Sequence, residues 1–182
     1  MARVVCAIIL LLELRGLSLS IPDRKWMALV FYTQLSNLIT TVSALLLLIF
    51  GQRQWVTTLR YISSCMLVMT FFVTTCVLIP MGGDPKKLLR SENGLYHHVL
   101  CPAISTFSYI FLEQHSGEIW LPVIITLAYG LTMLWLNRIR KVDGPYPFFR
   151  VHNQTAAMTV LWITALMLVM TGISAGICAV AR

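Results

Sequence analysis

The chain has 182 residues, of which 58% are hydrophobic and only 12% charged, with a mean hydropathy of +0.78 and a formal net charge of +7. Soluble domains carry about 25% charged residues, so this composition excludes an ordinary water-soluble fold. The basic residues lie in the connections between apolar runs, which fits the positive-inside rule and anionic lipid headgroups rather than nucleic acid.

A spanning helix needs about 20 mostly apolar residues, and six such segments with short connections account for the whole length. The expected fold is therefore all-α, a polytopic membrane protein forming one six-transmembrane-helix bundle over residues 1–182. The first helix covers about 4–20 and is interrupted by Glu13 and Arg15. A signal peptide ending at SLS is the rival reading there, and two charges at the end of its apolar region argue against it. As a span, this segment turns Glu13 toward the bundle, because a lipid-facing acid costs several kcal/mol. Local pairing of Glu13 with Arg15 is the plainer alternative.

The second helix, 26–50, carries Thr33, Ser36, Asn37 and Thr40 at i, i+3, i+4 and i+7, a polar stripe on one face. GQRQWVTTLR turns the chain into a third helix over 61–80, ended by Pro80, Gly82 and Gly83. Residues 82–95 form a polar connection, and the fourth helix covers 96–113. A tight connection leads to the fifth, 119–136. RIRKVDGPYPFFRVHNQ is a turn-rich basic loop before the sixth, 156–181, whose Gly172 and Gly176 suit close helix packing.

Loops one, three and five carry nine lysines and arginines against four on the other side. That bias puts the odd-numbered loops in the cytoplasm and both termini outside. The five cysteines, Cys6, Cys65, Cys76, Cys101 and Cys178, lie in apolar runs without a CxxC, and read as core residues rather than disulfides or metal ligands.

His97 and His98 stand at the entrance of the fourth helix, and ionisable groups inside a bilayer are functional candidates. Helices two and four both enter from odd loops, so Thr33 and His97 fall at similar depth. A hydroxyl and an imidazole so placed suit nucleophilic attack on an ester, with the imidazole taking the proton. Asn37, one turn deeper, is a candidate oxyanion donor, and Cys101 is a rival nucleophile. The bland alternatives are an interfacial histidine, hydroxyls bonded to backbone carbonyls and a packed cysteine. Adjacent histidines point about 100° apart on a helix and have no acidic ligand beside them, so no metal site is expected. No HExxH, GxSxG or phosphate-binding loop occurs.

FYTQLSN at 31–37, NGLYHHVLCP at 93–102 and GPYPFF at 144–149 together resemble the androgen-induced gene 1 family, most closely its prokaryotic six-transmembrane relatives. The likeness spans roughly residues 26–150. It implies a multipass hydrolase of fatty acid esters of hydroxy fatty acids, with a threonine nucleophile and a histidine. Carried over by position, these fall on Thr33, after Phe31 and Tyr32, and on His97, five residues before Pro102. The chain departs from the eukaryotic members in its shorter loops and in the second histidine, His98.

The expectation is a lipid ester hydrolase with Thr33 as nucleophile and His97 as general base. Asn37, Asn93, His98, Cys101 and Tyr146 shape the substrate site, in a hydrophobic cavity opening near the odd-loop face. The substrate enters from the bilayer, and no cofactor is required. A membrane lipid acyltransferase using Cys101 or Thr33 and a non-enzymatic lipid-binding or transport protein are the alternatives.

Overall fold

The structure is a computed structural model describing residues 1–115 and 117–181, with the side chains of 21–26 outside the description. Among the described residues it is helical, without a β-strand. Six rods follow one another: α1 (Ala2–Arg24), α2 (Tyr32–Phe50), α3 (Gln54–Leu78), α4 (Glu92–Leu112), α5 (Trp120–Arg138) and α6 (Ala156–Val180). Seven α-helical segments make up these rods, because α4 is divided by a π-helical turn. Among the described residues five helices, α2 to α6, are long and apolar enough to cross a membrane.

The distribution of polarity is inverted relative to a soluble protein. Leu45, Phe111, Trp120, Trp135 and Leu168 stand exposed on the outer surface, while Glu13, Arg60, Ser63, Ser105 and Ser108 are wholly buried. Exposed apolar area on this scale marks a surface that meets lipid. α3 lies at the centre and packs on α2, α4, α5 and α6, with α1 against α2 and α4, and α5 against α6. Arg60 of α3 and Glu113 at the end of α4 form a fully buried ion pair, Nη2 to Oε1 2.9 Å, and Ser108 donates to the same carboxylate at 2.8 Å.

Several boundaries differ from the sequence expectation. The segment 26–50 is not one helix: Lys25–Val30 is a 3-10 turn, and Phe31 is extended before α2 begins. The Val30 carbonyl at this break accepts a hydrogen bond from the Tyr129 hydroxyl at 2.8 Å, so a distant partner offsets the lost helical bond. α3 begins at Gln54 rather than 61. Gly51, at φ 71°, ends α2 and reduces the connection to three residues, 51–53, a backbone conformation that suits glycine. α4 begins at Glu92, where Ser91 Oγ caps the Gly94 N–H at 3.0 Å. Gly172 and Gly176 are exposed, and among the described residues nothing lies within 4 Å of where a Cβ would stand, so they face outward rather than into a helix contact.

Two prolines leave the same signature. Ile79 N–H bonds the Thr74 carbonyl and Cys101 N–H bonds the Tyr96 carbonyl, each five residues back, in π-helical turns Val73–Leu78 and Tyr96–Leu100. Pro80 and Pro102 follow immediately. A proline has no N–H for the i−4 carbonyl and its ring presses on it, and the helix answers by widening the turn before it.

Candidate functional site

A largely apolar cavity of about 50 Å³ lies between α2, α3, α5, α6 and the α5–α6 connection. Met69, Val73, Leu127, Leu166 and Met167 give it an apolar wall, and Thr33, Thr74 and Tyr146 bring hydroxyls to it. It lies toward the end of the bundle made by the first, third and fifth connections. The α5–α6 connection folds inward to form part of it. Asn137 holds this connection, donating to the Val142 carbonyl at 3.1 Å and accepting from the Val151 N–H at 2.9 Å. Tyr146 and Phe148 stack at 5.2 Å, and Phe148 meets Trp162 of α6 at 5.7 Å.

Thr33 stands in the first turn of α2, with its backbone N–H and its Oγ1 each 3.4 Å from the Tyr146 hydroxyl. The rest of the polar stripe serves the helix itself. Asn37 Nδ2 and Ser36 Oγ donate to the Thr33 carbonyl at 2.6 and 2.9 Å, and Thr40 donates to the Ser36 carbonyl at 2.9 Å. Ser36 also reaches Thr70 Oγ1 of α3, at 3.1 Å. Short hydroxyl side chains in membrane helices commonly bond in this way.

The histidines go elsewhere. His97 is buried with its Nε2 2.8 Å from Ser20 Oγ, and its ring lies on Gly16 of α1. Ser20 also bonds the Gly16 carbonyl and Asn93 Oδ1, each at 2.8 Å. Thus Asn93 and His97 share one partner on α1, and no hydrogen bond joins His97 to Thr33 among the described residues. His98 is bonded to Thr74 instead, Nδ1 to Oγ1 at 2.6 Å. Cys101 lies beside Glu13, away from the cavity wall. Neither Glu13 oxygen has a well-formed hydrogen bond among the described residues, and Arg15 pairs with Glu92 rather than with Glu13.

Of the expected site residues, then, Thr33 meets Tyr146 on the cavity wall, His98 reaches that wall through Thr74, Asn93 meets His97 through Ser20, and Cys101 lies apart beside Glu13. Sequence reasoning passed over Gly16, Ser20 and Thr74. Gly16 and Ser20 are one helical turn apart on the face of α1 that also carries Glu13, and Thr74 opens a wide turn that Pro80 announces.

Compared with protein-family models, characterised proteins and solved structures, the chain matches none.

Proposed function

We propose that this is a six-span membrane hydrolase of lipid esters, with α1 as the sixth span and the odd-numbered connections in the cytoplasm. The carrying observation is the threonine hydroxyl of Thr33 beside the Tyr146 hydroxyl on the wall of an apolar cavity. The apolar wall matches an acyl chain in character, and a lipid reaches it from the bilayer where a water-soluble ester does not partition. The resemblance to the androgen-induced gene 1 family adds the substrate class, fatty acid esters of hydroxy fatty acids, and supports Thr33 and His97 as the reacting pair.

In this reading Thr33 Oγ1 attacks the ester carbonyl and its proton passes to His97. The proton then goes to the departing alkoxide, and water, activated by the same imidazole, releases the fatty acid. Tyr146 donates to the oxyanion. His97 must exchange Ser20 for Thr33 as substrate enters, since catalytic hydrogen bonds often form only in the complex. A second reading, non-enzymatic lipid binding, is favoured by one observation: the hydroxyl partner of Thr33 is Tyr146 and not an imidazole.

The test uses purified protein in lipid nanodiscs with a long-chain ester of a hydroxy fatty acid. Release of free fatty acid above empty nanodiscs is expected, and Thr33→Ala should lower it by the share that Thr33 carries. Binding of the ester without release above empty nanodiscs would replace hydrolysis by lipid binding.

A further inference from the structure

The same cavity carries a threonine already bonded to an imidazole. Thr74 is 1% exposed and lines the cavity. Its Oγ1 lies 2.6 Å from His98 Nδ1 and 2.8 Å from the Thr70 carbonyl. The two residues come from the two proline-terminated π-helical turns, Val73–Leu78 and Tyr96–Leu100, a backbone form found frequently at functional sites. Thr74 stands at the cavity wall, while His98 is not part of the lining and contacts Thr74 through Nδ1. Nucleophile in front and base behind is the order that attack on a bound ester needs.

We infer that Thr74 and His98 form a second nucleophile–base pair in this cavity, acting on the carbonyl of a long-chain lipid ester. The inference rests on reading the cavity as an ester-cleaving site, and it does not depend on the role of Thr33. The Thr74 hydroxyl has one hydrogen, shared between the Thr70 carbonyl and His98. With Nδ1 unprotonated, that hydrogen turns to the imidazole as Oγ1 forms its bond to the ester carbon. The C–O bond to the alcohol breaks, and the departing alkoxide takes the proton from His98. Water then attacks the Thr74 ester, giving its proton to His98 and releasing the acid, and the Thr74 oxygen recovers that proton. No oxidant, reductant or reactant besides ester and water enters.

The experiment treats the purified full-length protein in nanodiscs with a long-chain alkyl fluorophosphonate and maps the labelled peptides by mass spectrometry. Label on Thr74 is expected in the wild type and in Thr33→Ala, and its loss in Thr74→Val. Thr74→Ser should keep the label, which separates loss of the nucleophile from loss of the fold. His98→Gln retains an acceptor for the Thr74 hydroxyl without a base, and should slow labelling about a hundredfold. Label confined to Thr33, or an unchanged rate in His98→Gln, overturns the pair and leaves the hydrolase reading intact. Label on Thr74 alone upholds the pair and removes Thr33 as nucleophile. No label together with no ester cleavage overturns both.

Discussion

Ser20 Oγ holds His97 Nε2 at 2.8 Å, linking α1 to the wide turn of α4 across 77 positions of sequence. The serine has one hydrogen and two acceptors beside it, the Gly16 carbonyl and Asn93 Oδ1. If either takes that hydrogen, His97 must donate through Nε2, which leaves Nδ1 as the bare nitrogen. Nδ1 is buried and has no hydrogen-bond partner among the described residues. His97 is thus held to α1 through one nitrogen.

Ser20→Ala separates holding from catalysis. It leaves His97 and Asn93 each short of a buried partner, and should lower stability by about 1–3 kcal/mol. If His97 must leave Ser20 to reach Thr33, the same change removes the competing partner. Turnover per folded molecule should therefore equal or exceed that of the wild type. Denaturant titration in micelles and fatty acid release in nanodiscs measure the two effects, and a loss of both would mean that Ser20 orients His97 for the reaction.

Gly16→Ala tests the seat of the same ring. A Cβ at Gly16 would stand 2.8 Å from His97 Cε1 and 3.2 Å from both ring nitrogens, closer than packed atoms allow. The imidazole must shift, and overpacking of this kind costs about 1–3 kcal/mol. The expected result is a lower unfolding midpoint together with a lower rate of ester release. A variant as stable and as active as the wild type would show that the ring moves without consequence.

Arg60 and Glu113 fix α3 to the end of α4 where neither charge meets solvent. Glu113→Gln leaves Arg60 without its counter-charge, and breaking such a buried pair costs about 3–5 kcal/mol. Replacing both, as Arg60→Met with Glu113→Leu, removes the uncompensated charge and should recover most of that loss. Reversible unfolding in mixed micelles reads the difference. Equal losses in the single and double variants would mean that Ser108 and Cys6, which also face this carboxylate, require the ions themselves.

Much of the fold was legible because it is written in local period and composition. Apolar runs of spanning length gave the rods, and the spacing of Thr33, Ser36, Asn37 and Thr40 gave a buried polar face. The depth argument also brought Thr33 and His97 to the odd-loop end of the bundle. It did not specify neighbours. Ser20 and His97 meet only because α1 packs on α4, and helical periodicity carries no information about which helices touch. The break at Phe31 was invisible for a related reason. No glycine, proline or charged residue falls within 26–50 to mark it, and the bond that compensates the break comes from Tyr129, nearly a hundred residues away. The π-helical turns were half legible: Pro80 and Pro102 mark them, but the turn lies before the proline, where sequence reading placed ordinary helix.

Chain-length selectivity tests the cavity without touching any reacting group. Gly130 lines it, and a Cβ there would meet Phe149 at 3.9 Å, ordinary contact distance. Gly130→Ala is therefore accommodated, while Gly130→Leu projects a branched side chain into space that an acyl chain would fill. Each methylene excluded from an apolar site forfeits about 0.8 kcal/mol of burial, so losing contact with two of them weakens binding by roughly tenfold. Gly130→Leu should raise KM for long-chain esters by at least that factor, leave short-chain esters nearly unaffected, and retain kcat for them. Competition between esters of two chain lengths in one nanodisc preparation reads the ratio directly. An unchanged ratio would place the acyl chain outside this cavity and move the search for its binding path to the lipid-facing surface of α5.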